Sequence, residues 1–509
     1  MYRILTASKD AYITNKIINN KFRVKDANTG RAGTLDLFKL YAETTSGSDS
    51  TPIELSRVLL KFDLSPLRSL TSSILDFSRS DFKCLIKMRD VYGGQTTPSN
   101  FKLQIFPLSK SFDEGVGRDI VRFEDLDTCN FLTASVTGDS PTLWSHEGAS
   151  SKGLMGSNDI DVIASGNLMD GNGVVDLWKE QEFSSGEEDL NIDITTVVSG
   201  ILSNQISDHG FRVSFSGSQE EDQVTRFVKR FGSRHSTNTY LRPALVAYWD
   251  DTIKDHGSEF IFDLTGSLFL NNSARGALIN IVSGTQAAPI TGSDCIMLRL
   301  TSGSGTGSFS KIVTGSQHNI GNSYMTGVYS ATFAISSFNT LLNEEIKNAA
   351  SATFDQYWQS RDGSVGFLTS SLVIKLPDRT SYSRSTNRLF VNITNLRTEY
   401  SRSQKVRFRV FVEDVGKQIV ATKTPLASVS EIFNNMFYRV KDAENNRVII
   451  PFETESNGTC LSTDSKGMFF DLYISDLYAG RTYAFDFLVK DRGIDDLFVD
   501  VASTFRVSN

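Results

Sequence analysis

The chain has 509 residues, with 52 Lys and Arg against 59 Asp and Glu, a formal charge of −7 and a pI near 5.5. At roughly 100–200 residues per domain this length implies about three domains, and the mild acidity excludes a general nucleic-acid binder. The composition, 39% hydrophobic and 22% charged, is globular. No apolar run approaches the roughly 18–20 residues that span a bilayer, so no membrane partner is expected.

The opening Met1 to Asp10 lacks an apolar core and a small-residue cleavage site, and reads as structure rather than as a secretory signal. Cys84, Cys129, Cys295 and Cys460 are too far apart for a metal knuckle or a disulfide framework. They read as buried free thiols of a reducing compartment. The sequons at Asn271, Asn392 and Asn457 then read as chance matches.

Phe occurs 35 times and Tyr 15 times while long helical periodicities are scarce, which favours strands of aromatic and β-branched residues. Leu55 to Leu64, Leu85 to Met88, Phe101 to Phe106, Phe211 to Phe215 and Leu241 to Trp249 alternate or run apolar at strand length between turn signals. Ile194, Val197, Val198, Ile201 and Leu202 carry helical spacing, with Asn191 or Asp193 as the N-cap. After Asp251 the texture becomes rich in Gly, Ser and Thr, and Thr-Gly-Ser recurs from Thr265, Thr291, Thr306 and Thr314 without a fixed period. These triplets read as hairpin turns.

Further along, Val328 to Ile335 and Phe367 to Leu376 read as strands, and Leu341 to Ala349 as a short surface helix. The polar run Pro377 to Asn387 reads as a linker or exposed loop. Beyond it Leu389 to Ile393, Val406 to Val412, Phe469 to Ile474 and Tyr483 to Val489 alternate as strands. Ser428 with Glu431 forms a capping box ahead of Ile432, Phe433 and Met436, which predicts one short helix. The resulting fold class is mainly β, tandem β-sandwich domains with a few short helices, divided into 1–252, 253–380 and 381–509.

Local patterns offer little chemistry. His146, His209, His235, His256 and His318 lie in no zinc-binding spacing, and no nucleophile elbow, phosphate loop or dinucleotide fingerprint occurs. No catalytic, cofactor or metal residues are therefore assigned, and the chain reads as a non-enzyme. The carboxylate pairs Asp113-Glu114, Glu187-Glu188 and Asp495-Asp496 read as solvated loop charges. Asn158 to Asp161 through Met169 to Gly173 carries oxygen ligands and glycines suited to calcium but lacks an EF-hand closing Glu, and reads as a turn. Arg226, Lys229, Arg230, Arg234 and Arg242 are interleaved with Phe227, Phe231 and Tyr240. Arg226, Arg230, Arg234 and Arg242 form either a docking cluster or structural anchors that hold carboxylates by bidentate hydrogen bonds, with anchors favoured.

Four stretches resemble the DNRLRE-type domain, a β-sandwich module of bacterial surface proteins and of structural proteins of tailed bacteriophages. Ala7 to Ile13 is similar to its first strand, and Arg57-Val-Leu-Leu-Lys-Phe-Asp-Leu-Ser65 to its Arg-x-Leu-Leu strand. Phe101 to Phe106 followed by Ser111 to Gly117 resembles the next strand and acidic turn, with Phe112 where many relatives have Trp. Phe231 to His235 through Leu241 to Val246 resembles the closing strand, with His235 in place of an acidic residue. The resemblance covers residues 1–251. With the absence of a secretory signal, it implies a structural protein of a phage particle, built in the host cytoplasm and carried in the virion. Its partners would be other virion structural proteins, in a homo-oligomer or on a symmetric ring. The rival expectation is a receptor- or glycan-binding fibre in which Trp144, Trp178 or Trp358 stacks on sugar rings.

Overall fold

The computed structural model describes residues 1–509 apart from 45–51, 72, 169–172, 276, 285–286, 303–308, 322, 378–388, 416–429 and 492. Alternating apolar segments become strands, and the chain is mainly β, with sandwich-like sheets in series and short helices. Two compact units result: Arg3–Ser69 with Phe82–Tyr248, and Met1–Tyr2 with Leu70–Asp81 and Trp249–Asn509. The polar run beyond Pro377, the triplet at Thr306, Ser428 and the Met169–Asn172 part of the calcium-like stretch lie outside the described residues.

In the first unit, strands Lys179–Phe183, Phe101–Pro107, Phe211–Phe215, Ile53–Phe62, Tyr2–Thr14, Ala244–Tyr248, Lys83–Met88 and Leu190–Asp193 lie in that order. Thr34–Tyr41 joins Ile53–Phe62 and carries Arg226–Gly232 on its far side. Ile53–Phe62 is buried on both faces, because its odd-numbered side chains Leu55 and Leu59 pack with Ile13, Phe106, Phe131 and Trp144, while Val58, Leu60 and Phe62 are buried opposite. The helix forms over Thr195–Leu202 and buries Val197, Val198, Ile201 and Leu202. Its N-cap position is held by Ile194, whose side chain makes no capping bond, while Asp193 accepts from the Thr195 amide at 2.8 Å. The expected cap is thus displaced by one residue, since Leu190–Asp193 is a strand paired with Lys83–Met88 and carries Asn191 and Asp193 out of cap geometry.

The second unit holds a seven-stranded sheet in the order Phe260–Ile261, Gly366–Lys375, Ser351–Ser360, Ile296–Ser302, Ser310–Ile320, Ser323–Phe333 and Gly266–Asn271. Two of the Thr-Gly-Ser triplets fall in strands rather than turns. Gly266 opens a strand, and Gly315 sits opposite Ile296, where an added Cβ would lie 2.9 Å from the Ile296 side chain. Small residues are used there for close packing, while Thr291 does precede a turn at Gly292 (φ +90°). Asn343–Ala349 is helical.

In the same unit, Leu389–Ile393, Lys405–Asp414, Gly467–Tyr473 and Ser462–Asp464 form one sheet, and Glu399–Ser401, Ile494–Ser508, Thr482–Asp491, Met436–Asp442 and Val448–Ile450 another. Their inner faces meet through aromatic rings: Phe470 stacks on Tyr438 at 4.2 Å and Phe408 meets Phe485 edge-on at 5.0 Å. The short helix expected before Met436 does not form among the described residues. Met436 instead opens a strand paired along its whole length with Thr482–Asp491. A single helical turn gains few hydrogen bonds, and the sheet ladder outweighs it.

Candidate functional site

The arginines singled out in the sequence lie on and after Arg226–Gly232. Arg226 donates to both oxygens of Asp222 at 2.8 and 2.7 Å, and buried Lys39 joins the same carboxylate at 2.9 Å. The Arg226 guanidinium, with Lys39, holds the Asp222 carboxyl well below the usual range. Arg230 lies directly opposite Asp36 in the ladder and forks onto it with two contacts of 2.8 Å. Lys229, fully buried, reaches Asp90 at 2.5 Å and the carbonyls of Gly186 and Glu188. Arg242 donates to the Ser236 carbonyl at 3.1 Å. Of these contacts, Arg230–Asp36 and Lys229–Asp90 cross between distant segments, whereas Arg226–Asp222 and Arg242–Ser236 are local; the partners Asp36, Asp90 and Asp222 carry no sequence signal of their own. Phe231 is buried and Phe227 exposed.

Arg234 belongs to a tighter group. Its Nε and Nη2 both donate to Glu114, the latter at 2.5 Å, and its backbone amide donates to Asp10 Oδ2 at 2.5 Å. Glu114 Oε1 also accepts from the Asp10 amide at 3.0 Å. His235 Nε2 lies 3.5 Å from Glu114 Oε1 without a hydrogen-bond partner, and Asp10 Oδ1 is likewise buried and unpartnered. Burial pushes the Asp10 carboxyl up to about 7, with the Glu114 charge acting in the same direction. Burial and the Arg234 charge push the His235 imidazole below its ordinary value.

Three separate segments build this group. Asp10 follows a register shift between Ala7 and Lys9 that re-aims the strand against Ile53–Phe62. Glu114 is fixed by buried Asn28, whose Nδ2 donates to the carbonyls of Glu114 and Cys129 at 2.8 and 2.7 Å while its Oδ1 accepts from the amides of Gly30 and Gly117. Gly30 and Gly117 are required by the close approach, since an added Cβ would sit 1.9 Å from the Glu114 carbonyl oxygen and 2.1 Å from that of Asn28. His235 lies in a turn pinned by Ser233, whose hydroxyl donates to the Ala32 carbonyl and accepts from the His235 amide. Glu114 is accordingly a largely buried, ion-paired side chain rather than a solvated loop charge.

Other features of the sequence resolve as structure. Asp161, fully buried, accepts from the amides of Ser145, His146 and Ser151 and so organises the Ser145–Ser151 loop. Glu188 accepts from the amides of Ser184, Ser185 and Gly186. Trp144 is buried, donating to the Asn130 carbonyl, and Trp358 is buried in the seven-stranded sheet core. Trp178 is half-buried against Phe106. All four cysteines are free; three are buried and Cys295 is half-buried. Burial pushes the Cys129 thiol far up, away from the nucleophilic thiolate.

The second unit contains a cleft of about 580 Å³ lined by Ile253, Phe269, Met325, Val328, Lys405 and Arg407 among others. Its cations are already engaged: Lys405 and Arg407 both contact Asp471, at 3.1 and 2.8 Å.

No protein-family model matches the chain, and no curated protein matches it. Among solved structures, a membrane-anchored protein from Corynebacterium diphtheriae aligns at 9% identity over 100% of this chain and 97% of its own, with a TM-score of 0.16. An alpha-2-macroglobulin from Escherichia coli aligns at 10% identity over 92% of this chain and 24% of its own, with a TM-score of 0.14. A Salmonella alpha-2-macroglobulin gives 9% identity, 99% and 31% coverage, and a TM-score of 0.16. Similarity at this level identifies neither a fold family nor a function.

Proposed function

We propose that the chain is a non-enzymatic structural component of a tailed-phage virion, a tail, neck or head-attached protein whose sandwich units mediate assembly contacts. The observation that carries this reading is how the first unit spends its charges. Arg57, Lys39, Arg226, Lys229, Arg230 and Arg234 each close on a carboxylate of the same unit. All of these pairs except Arg226–Asp222, whose members are four residues apart, join segments more than 100 positions apart in sequence, as a scaffold requires.

The phage context comes from the resemblance of residues 7–13, 57–65, 101–117 and 231–246 to the DNRLRE-type domain. Sandwich edges in tandem need covering, and self-association or docking on a symmetric ring would cover them. The test is quantitative mass spectrometry of particles purified from cells carrying the gene in its own genome, with immunogold labelling of the same particles. Stoichiometric incorporation at one morphological position is the expected result. A chain found only in the particle-free lysate would overturn the proposal.

A further inference from the structure

The group around Arg234 contains two features that its role as an anchor does not use. Asp10 is 1% exposed, yet its Oδ1 has no hydrogen-bond partner, and neither has His235 Nε2. A buried carboxylate oxygen and a buried imidazole nitrogen are costly to leave without partners. Among the described residues, Asp10, Glu114 and His235 each offer one ligand atom, and these atoms lie within 4.8 Å of one another. We propose that Asp10, Glu114 and His235 form a binding site for one divalent transition-metal ion of the zinc type.

The dimensions fit. Zinc bonds of about 2.0–2.2 Å to nitrogen and oxygen place neighbouring ligands of a tetrahedron about 3.3–3.5 Å apart. His235 Nε2 and Glu114 Oε1 already stand 3.5 Å apart. The remaining ligand atoms lie within 4.8 Å of one another, so the gaps to be closed are at most roughly 1–1.5 Å.

Capacity fits as well. An ionised carboxylate has about four acceptor sites, and Glu114 uses three: Oε1 accepts from the Asp10 amide and Arg234 Nε, and Oε2 from Arg234 Nη2, so the remaining site for the ion is on Oε2. Arg234 binds Glu114 through its guanidinium and Asp10 through its backbone amide at Oδ2, so Asp10 Oδ1 keeps its acceptor sites open. The Arg234 amide on Asp10 and the Asp10 amide on Glu114 hold both carboxylates in orientation, as outer-shell partners of metal ligands do. One imidazole with two carboxylates selects zinc-like ions over calcium, which prefers an all-oxygen shell.

The test uses the full chain stripped with a chelator and titrated with Zn²⁺ by calorimetry, with Ca²⁺ in parallel. One zinc per chain is expected, bound at least tenfold more weakly by His235→Ala and by Asp10→Asn, and retained by His235→Cys, since a thiolate also ligates zinc. Circular dichroism establishes that each variant is folded. Should Asp10→Asn fail to fold, the two His235 variants decide. Absence of zinc binding, equal zinc affinity in His235→Ala, or calcium bound as tightly as zinc would each overturn the assignment.

Discussion

Arg57 and Glu220, 163 positions apart, meet as a planar fork, Nε to Oε1 at 2.9 Å and Nη2 to Oε2 at 2.7 Å, with both residues buried. Burial pushes the Glu220 carboxyl up, but Arg57 and its neighbours outweigh this and leave it below its ordinary value. Arg212, fully buried, and Lys152 share the same pocket of charge, so Glu220 balances more than one cation. Glu220→Gln leaves these cations uncompensated and is expected to cost about 3–5 kcal/mol, the range for breaking a buried pair. Urea denaturation of the full chain followed by fluorescence measures it, and a loss under about 1 kcal/mol would show that the pair is not structural.

Gly117 backs directly on Asn28, which holds the loop carrying Glu114 in place. Gly117→Ala puts a methyl group 2.1 Å from the Asn28 carbonyl oxygen, and the strain should cost about 1–3 kcal/mol or more. Gly33→Ala is the control, since an added Cβ there meets nothing within 4 Å. Parallel thermal melts should show a drop for the first variant and none for the second.

Asp255 provides the clearest pH dependence. Burial pushes its carboxyl from 3.8 up to about 7, the nearby Asp464 charge acts in the same direction, and the Gly257 amide opposes them. The folded state therefore holds a proton that the unfolded chain releases near pH 4. This contribution to stability is complete below the unfolded value and is lost as pH rises through about 7, by up to about 4 kcal/mol in total. The adjacent His256 accepts from the Ser267 amide through Nδ1. Denaturation midpoints of the wild type and Asp255→Asn, compared from pH 4 to 7, should converge as pH falls relative to a wild type that weakens toward neutrality. A wild type that strengthens over the same range relative to the variant would reverse the sign.

Much of the fold is legible because strand alternation is a local property. Phe211–Phe215 and Leu389–Ile393 form over the residues whose pattern predicts them. Local reasoning fails where partners decide. Met436 carries helical spacing with Ile432 and Phe433, but the ladder to Thr482–Asp491 claims it. Gly315 reads as a turn residue until the opposite strand places Ile296 against it. The site was less accessible still. Arg234 and its neighbours stand out as a basic cluster, whereas Asp10, Glu114, Asp36 and Asp222 are ordinary acidic residues whose roles arise from pairing over long separations. Asp10 and His235 are 225 positions apart, and no spacing rule connects them.

The central claim is that these charges hold the first unit together instead of presenting a docking surface, and Arg234→Ala tests it most directly. The substitution leaves the Glu114 carboxylate without the guanidinium fork and should remove about 1–3 kcal/mol. That lowers the melting temperature of the unit by about 2–4 °C per kcal/mol. The account predicts this drop in differential scanning calorimetry, with incorporation into particles reduced only as far as unfolding explains. An unchanged melting temperature, accompanied by particle assembly that weakens as salt is raised, would contradict it.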